Sequence, residues 1–321
     1  MRNFFIFSTL FLCLVPCAST KIVWMSKWEI CVMDDDGKKV QRLTYNNIYD
    51  GSPRWTPNGK HIAFEREQER ETNEQNHDLF LMNIDGTQVR KLTTYTGLDI
   101  NPDWSADSEH ISFTSTRSGE WNVHIMNVET HEVRELTPNM EGHSAGRATW
   151  STDGKKIAYV STRRNPYQET IYIVDADGTN QRRFTRPVAA RHYSLRWSPD
   201  RKQILYCETK RKNNQVISNK IIIRTETGHL VQEIEMPPRE TWFINAACWM
   251  GMQHLLIDAI EDDGRGQSDI LRYTIATGQI INLTNSPIGN DGFPDWIDDA
   301  ALAITPAHKL AVLWGLLKQI D

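Results

Sequence analysis

Short apolar runs separated by polar turns recur along the whole chain, among them IAF at residues 62–64, LFLM at 79–82, VHIM at 123–126, IAYV at 157–160 and ILYC at 204–207. Runs of this length, bounded by Gly, Pro, Asn and Asp, predict β-strands. No helical period intervenes between them. The joins carry the matching turn chemistry. Thr56-Pro57-Asn58-Gly59 and Ser198-Pro199-Asp200 supply Pro where φ is about −65° and Asn or Gly where φ turns positive. Asp-Gly pairs ending at Gly37, Gly86 and Gly178 are short-range hairpin signals.

Aligning the chain on itself gives SPRWTPNGKHIAFE at Ser52, NPDWSADSEHISFTS at Asn101, RATWSTDGKKIAYVS at Arg147, SLRWSPDRKQILYCE at Ser194, AACWMGMQHLLIDA at Ala246 and FPDWIDDAALAIT at Phe293. The tryptophans are Trp55, Trp104, Trp150, Trp197, Trp249 and Trp296, at steps of 49, 46, 47, 52 and 47 residues. A strand ending in a tight turn also occurs six times, with Gly at the turn in all but the unit of His131. Leu-Thr or Phe-Thr pairs close five units, at Thr44, Thr93, Thr137, Thr185 and Thr284. Four strands per unit, six units and no helix between them predict an all-β fold, a six-bladed β-propeller with four-stranded blades.

Residues 22–44 hold the late strands of a unit without its Trp, and residues from 293 onward hold a Trp start without later hairpins. The two halves are expected to form one shared blade, which closes the ring and removes free sheet edges. Either residues 22–26 or residues 309–314 supply its second strand. The tail from about 306 to 321 reads alternatively as a short helix or a strap. The propeller is expected to fill residues 21–321 as a single domain.

The unit W-S-P-D-G-K-x-I-A-F, I-Y-x-M-D-x-D-G and L-T resembles the WD40-like, or PD40, repeat of the TolB-like propeller family. The resemblance covers nearly the whole chain after residue 20. It implies an exported, non-catalytic propeller that binds a protein partner in the cell envelope. Members of the Tol-Pal system join the propeller to an amino-terminal domain, whereas here the propeller is expected to start directly after the leader. The repeat is also similar to the propeller of prolyl-oligopeptidase-like enzymes. The 25 residues after Trp296 are too few for the hydrolase domain of those enzymes.

Composition narrows the partners. Thirty-six Lys and Arg against 41 Asp and Glu give a net charge of −5, so nucleic acid and anionic lipid are not expected partners. Residues 1–20 place Arg2 before an apolar run and then small residues, the layout of a signal peptide, and predict a periplasmic or extracellular protein without a lipid anchor. No later apolar run is long enough to span a bilayer, so no transmembrane segment is expected. Outside the leader, Cys31, Cys207 and Cys248 sit in strand-like runs and read as small buried hydrophobes rather than disulfide or metal partners.

GHSAG at residues 142–146 fits the G-x-S-x-G nucleophile pattern. That elbow needs a strand before it and a helix after it. Here it joins two blades, so Ser144 is not expected to be catalytic. The D-x-D-G turns are too short and regular for calcium loops of the EF-hand kind.

Strand parity locates the candidate site. Turns between strands one and two and between strands three and four share one face. The loops between strands two and three (65–77, 116–121, 162–169, 209–219 and 261–268) and the connections between blades share the other. Variable loops on a rigid scaffold are the usual place for recognition. His77, Trp121 and Tyr167 are the candidate binding residues of this loop face. Five residues before each Trp stand Asp50, Asp99, Ala145, His192, Ile244 and Asp291. Asp50, Asp99, His192 and Asp291 are candidates for a channel-mouth site taking a cation or polar ligand, with local turn capping as the simpler role. No cofactor is expected beyond such a cation. The alternative function is a lactonase-like or sugar-active enzyme at the channel mouth.

Overall fold

Six four-stranded antiparallel sheets follow one another around a central channel, with the first strand of each sheet innermost and touching the first strands of its two neighbours. The computed structural model describes residues 22–68, 76–137, 142–236, 242–261, 266–285 and 290–298. Blade 1 runs from Asp50–Trp55 to Arg90–Lys91, blade 2 from Asp99–Trp104 to Val133–Glu135, and blade 3 from His143–Trp150 to Arg182–Arg183. Blade 4 runs from Ala190–Trp197 to Leu230–Ile234 and blade 5 from Trp242–Met250 to Ile280–Asn282.

Blade 6 closes the ring. Its innermost strand is Asp291–Trp296, followed by Ile22–Ser26, Glu29–Met33 and Gln41–Arg42. Of the two segments expected for its second strand, residues 22–26 take the place, pairing Ile22 with Trp296 and Ser26 with Asp291. The expected leader at 1–20, the tail at 306–321 and the rival segment at 309–314 lie outside the described residues.

Each repeated motif has a physical task. The Thr of the Leu-Thr pair accepts a hydrogen bond from the backbone of strand three: Ile30 N to Thr44 Oγ1 at 2.9 Å, Leu79 N to Thr93 at 3.0 Å, Val123 N to Thr137 at 3.0 Å, Ile171 N to Thr185 at 2.9 Å and Ile270 N to Thr284 at 3.1 Å. A fourth strand of only two or three residues needs this extra tie to satisfy the strand beside it. Blade 4 lacks the Thr and instead has a five-residue outer strand. The residue after each of the first four Trp, Thr56, Ser105, Ser151 or Ser198, accepts from the backbone five residues on and donates to Asn58, Asp107, Asp153 or Asp200. That reciprocal bond fixes the turn between strands one and two.

The core is divided between blades. Trp55 packs with Phe64, Phe80 and, from blade 6, Val23 and Ile30, while Trp197 packs with residues of blade 3 such as Ile171 and Phe184. Each Trp therefore sits where one sheet face meets the next. Cys31, Cys207 and Cys248 are buried and free in these layers, and burial pushes the Cys31 thiol up to about 12.

Candidate arginine-lined channel site

Every inner strand breaks register against its neighbour. In blades 1 to 4 the break lies between Gly51 and Arg54, Ile100 and Asp103, Gly146 and Thr149, and Tyr193 and Arg196. The residue three before the Trp is left-handed at five of the six equivalent positions, with φ of 48° at Ser52, 53° at Asn101, 55° at Arg147, 52° at Ser194 and 54° at Phe293. Bulges of this kind re-aim side chains. All five bulge residues line a cavity of about 1140 Å³ in the channel.

The cavity opens among the variable loops. Its wall carries six arginines, Arg54, Arg147, Arg164, Arg191, Arg196 and Arg211, against two carboxylates, Glu169 and Asp258. A cationic chamber within a chain of net charge −5 is a local arrangement that overall composition conceals. Trp121 and Tyr167, two of the expected loop-face residues, line the same cavity. Trp121 is half-buried, and its carbonyl accepts from Ala145 N at 2.7 Å. Tyr167 is exposed and donates its hydroxyl to Glu169 at 2.8 Å.

His77 is placed elsewhere. It bridges to Leu98 of blade 2, lies with its ring centroid 5.5 Å from that of Tyr49, and is not part of the cavity wall.

Asp50, Asp99, His192 and Asp291 occupy equivalent places in their blades and all four are buried, outside the cavity wall. Each is held within its own structure. Asp50 takes a two-pronged bond from Arg66, Nε to Oδ1 at 2.6 Å and Nη2 to Oδ2 at 2.7 Å. Asp99 accepts from Arg117 Nη2 at 2.7 Å, and Asp291 accepts from Trp24 Nε1 at 3.3 Å. Burial raises the Asp291 carboxyl above its ordinary value.

His192 lies 3.2 Å from Glu208 through Nε2, and its backbone N–H donates to Glu169. Glu169 also accepts from Arg147 Nη1 at 3.1 Å. Burial alone would raise Glu208, but hydrogen bonds from His192 and Lys210 outweigh it and hold the carboxyl at about 2. The His192–Glu208 pair ties strands one and two of blade 4, while Glu169, on strand three of blade 3, ties that blade to blade 4.

The residues immediately before each Trp form the ring that sequence reasoning missed. In order around the channel they are Asp295, Arg54, Asp103, Thr149, Arg196 and Cys248. Arg54 and Arg196 stand three blades apart, on opposite sides. Both line the loop-side cavity and a second cavity of about 340 Å³ that opens between the turns of the other face. Arg54 has acids on both sides, with its Nε 3.9 Å from Asp103 Oδ1. Desolvation pushes Asp103 up to about 7 despite the pull of Arg54 and the N–H of Trp150.

Higher in the cavity, burial pushes Asp258 up to about 7 although Asn245 Nδ2 donates to it at 3.1 Å. Among the described residues, Asp107, Glu109 and His110 also lie close enough together to share a cation. They are on the turn face, where Asp107 already accepts from Glu109 N at 2.9 Å.

Residues 51–168 match the TolB beta propeller domain family, PD40. No curated protein sequence matches the chain significantly. Solved structures with a similar fold include TolB from Acinetobacter baumannii, at 21% identity and a TM-score of 0.59, over 87% of this chain and 67% of that one. Hydrazine synthase of Kuenenia stuttgartiensis is similar at 14% identity and a TM-score of 0.69, over 87% of this chain but only 46% of that one. Oligogalacturonate lyase from Vibrio parahaemolyticus is similar at 15% identity and a TM-score of 0.52, over 83% of this chain and 73% of that one.

Proposed function

We propose that this chain, a TolB-like propeller, is an exported binding module that engages a protein partner in the cell envelope through its loop face. The observation that supports this most directly is the placement of exposed aromatic side chains. Among the described residues Trp28, Tyr45 and Tyr167 are the exposed aromatics, and by strand parity all three belong to the loop face. Val216 and Ile217 are exposed on that face too, at the tip of the long hairpin of blade 4. Exposed aromatic and aliphatic anchors around a polar cavity are the usual form of a protein-binding surface. Among the described residues no helix is long and apolar enough to cross a membrane.

The test is photo-crosslinking in the cells that make the protein, with the reactive residue at Tyr167 or Ile217 and, as controls, at Ile84 or Met252 on the turn face. A discrete adduct from the loop-face positions alone supports the reading. Equal labelling from both faces, or none, rejects it.

Asp258 favours a second reading, an enzyme at the channel mouth. A cavity-wall carboxyl that titrates near 7 has the protonation balance of a general acid or base. Turnover of lactones or acidic oligosaccharides that Asp258→Asn abolishes would support this; no turnover of any of them by the parent would count against it.

A further inference from the structure

We infer that the waist of the channel holds a binding site for a small oxyanion, a carboxylate or phosphate group, with Arg196 as its principal ligand. The site is independent of whether a protein docks on the loop face.

The argument begins with the asymmetry of the ring before the tryptophans. On one side Asp295, Arg54 and Asp103 form an acid-base-acid series, and the cation there has its counter-charges. On the other side Arg196 stands between Thr149 and Cys248, both buried and neutral. Nη1 of Arg196 donates to the carbonyl of Leu195 at 2.6 Å. Its Nε is buried and has no hydrogen-bond partner. Among the described residues no carboxylate forms an ion pair with it.

A half-buried guanidinium whose Nε is shielded from water and has no counter-ion carries a desolvation cost, and an entering anion offsets it. The planar edge of the guanidinium suits a carboxylate or phosphate in particular, because two N–H groups can meet two oxygens.

The approach to the site has matching charge. A ligand entering from the loop face passes Arg191, Arg164 and Arg211, all exposed in the cavity wall, before reaching Arg196. Like-signed walls of low dielectric concentrate anions. Asp103 and Asp295 across the waist oppose a large or highly charged ion, so the geometry selects a single oxyanion group rather than a polyanion.

The experiment is titration calorimetry of the full propeller in chloride buffer at pH 7.5, with acetate as the carboxylate probe and inorganic phosphate as the phosphate probe. One-to-one binding of at least one probe is expected, and which of the two binds identifies the source of the group. Arg196→Gln should weaken that binding at least tenfold with little change in melting temperature, whereas Arg196→Lys should retain part of it. Absence of saturable heat from both probes, or unchanged binding in Arg196→Gln, overturns the inference.

If Arg196→Gln fails to fold, the parent protein supplies the answer. Phenylglyoxal labelling of Arg196, mapped by mass spectrometry, should be slowed by the binding probe. Labelling at the same rate with and without it rejects the site.

Discussion

Trp55 in blade 1 donates its backbone N–H to the carboxylate of Asp295 in blade 6 at 2.9 Å, across 240 residues of sequence. The same bond joins Trp150 of blade 3 to Asp103 of blade 2 at 2.8 Å. An Asp before one tryptophan thus latches the backbone of the next blade's tryptophan, and at Asp295 the latch lies on the ring closure itself. Asp295→Ala leaves the Trp55 N–H without its acceptor and is expected to lower unfolding free energy by about 1–3 kcal/mol. Asp295→Asn, which keeps an acceptor oxygen, should cost less. Urea unfolding followed by tryptophan fluorescence measures both, and equal stability of Asp295→Ala and the parent would show that closure does not use this bond.

The two carboxyls that titrate near 7, Asp103 and Asp258, set the direction of pH dependence. In the unfolded chain each loses its proton near pH 4. Between about pH 4 and 7 the folded protein binds protons that the unfolded chain has released, so raising pH through that window favours unfolding. Glu208, held at about 2, acts oppositely: its contribution is present above the unfolded value and lost as pH falls from about 4 towards 2. The melting temperature should therefore be highest near pH 4 and fall between about pH 4 and 7. Asp258→Asn should flatten that fall, and an identical profile in the variant would remove Asp258 from the account.

Much of this architecture is written in the repeat. Six tryptophans in register, the Leu-Thr pairs and the Asp-Gly turns each correspond to a bond the structure shows, because each solves a local problem that every blade shares. The burial of Asp50, Asp99, His192 and Asp291 was less legible. Their partners come from the adjacent strand or beyond, Arg66 and Glu208 each sixteen residues on, and a ring alignment read one strand at a time does not display them. The Arg54 and Arg196 ring was within reach, since each sits directly before an aligned Trp. What concealed it was the bulge, which breaks strict alternation in the inner strand and so hides which residues face the channel.

Asp50 and Arg66 illustrate the energetic consequence of that burial. Asp50 is fully buried, and the Arg66 guanidinium lies 5.1 Å from the ring centroid of Phe64 and 4.9 Å from that of Phe80. Removing one partner leaves the other charge desolvated and alone, so Asp50→Ala is expected to cost about 3–5 kcal/mol. Replacing both, as Asp50→Leu with Arg66→Met, should recover most of that loss. Chemical denaturation of the two variants checks this; a double variant as unstable as the single one would mean that packing, not the uncompensated charge, dominates.

The turn glycines separate two costs that are usually mixed. Gly86 has φ of +82°, and a Cβ built on it would lie 2.8 Å from the carbonyl oxygen of Leu43 in the preceding blade. Gly119 has φ of +95° but nothing within 4 Å. Gly119→Ala therefore meets only the left-handed backbone penalty, about 1–2 kcal/mol. Gly86→Ala meets that penalty and a clash between blades, which adds about 1–3 kcal/mol. His131 occupies the matching turn of blade 2 at φ of 59°, and its Nδ1 lies 3.2 Å from the carbonyl of Leu92. A side chain is therefore tolerated at this junction where the approach of the blades admits a hydrogen bond. Thermal unfolding of Gly86→Ala and Gly119→Ala should show the first destabilised clearly more than the second, and equal shifts would mean that the blades separate easily at this contact.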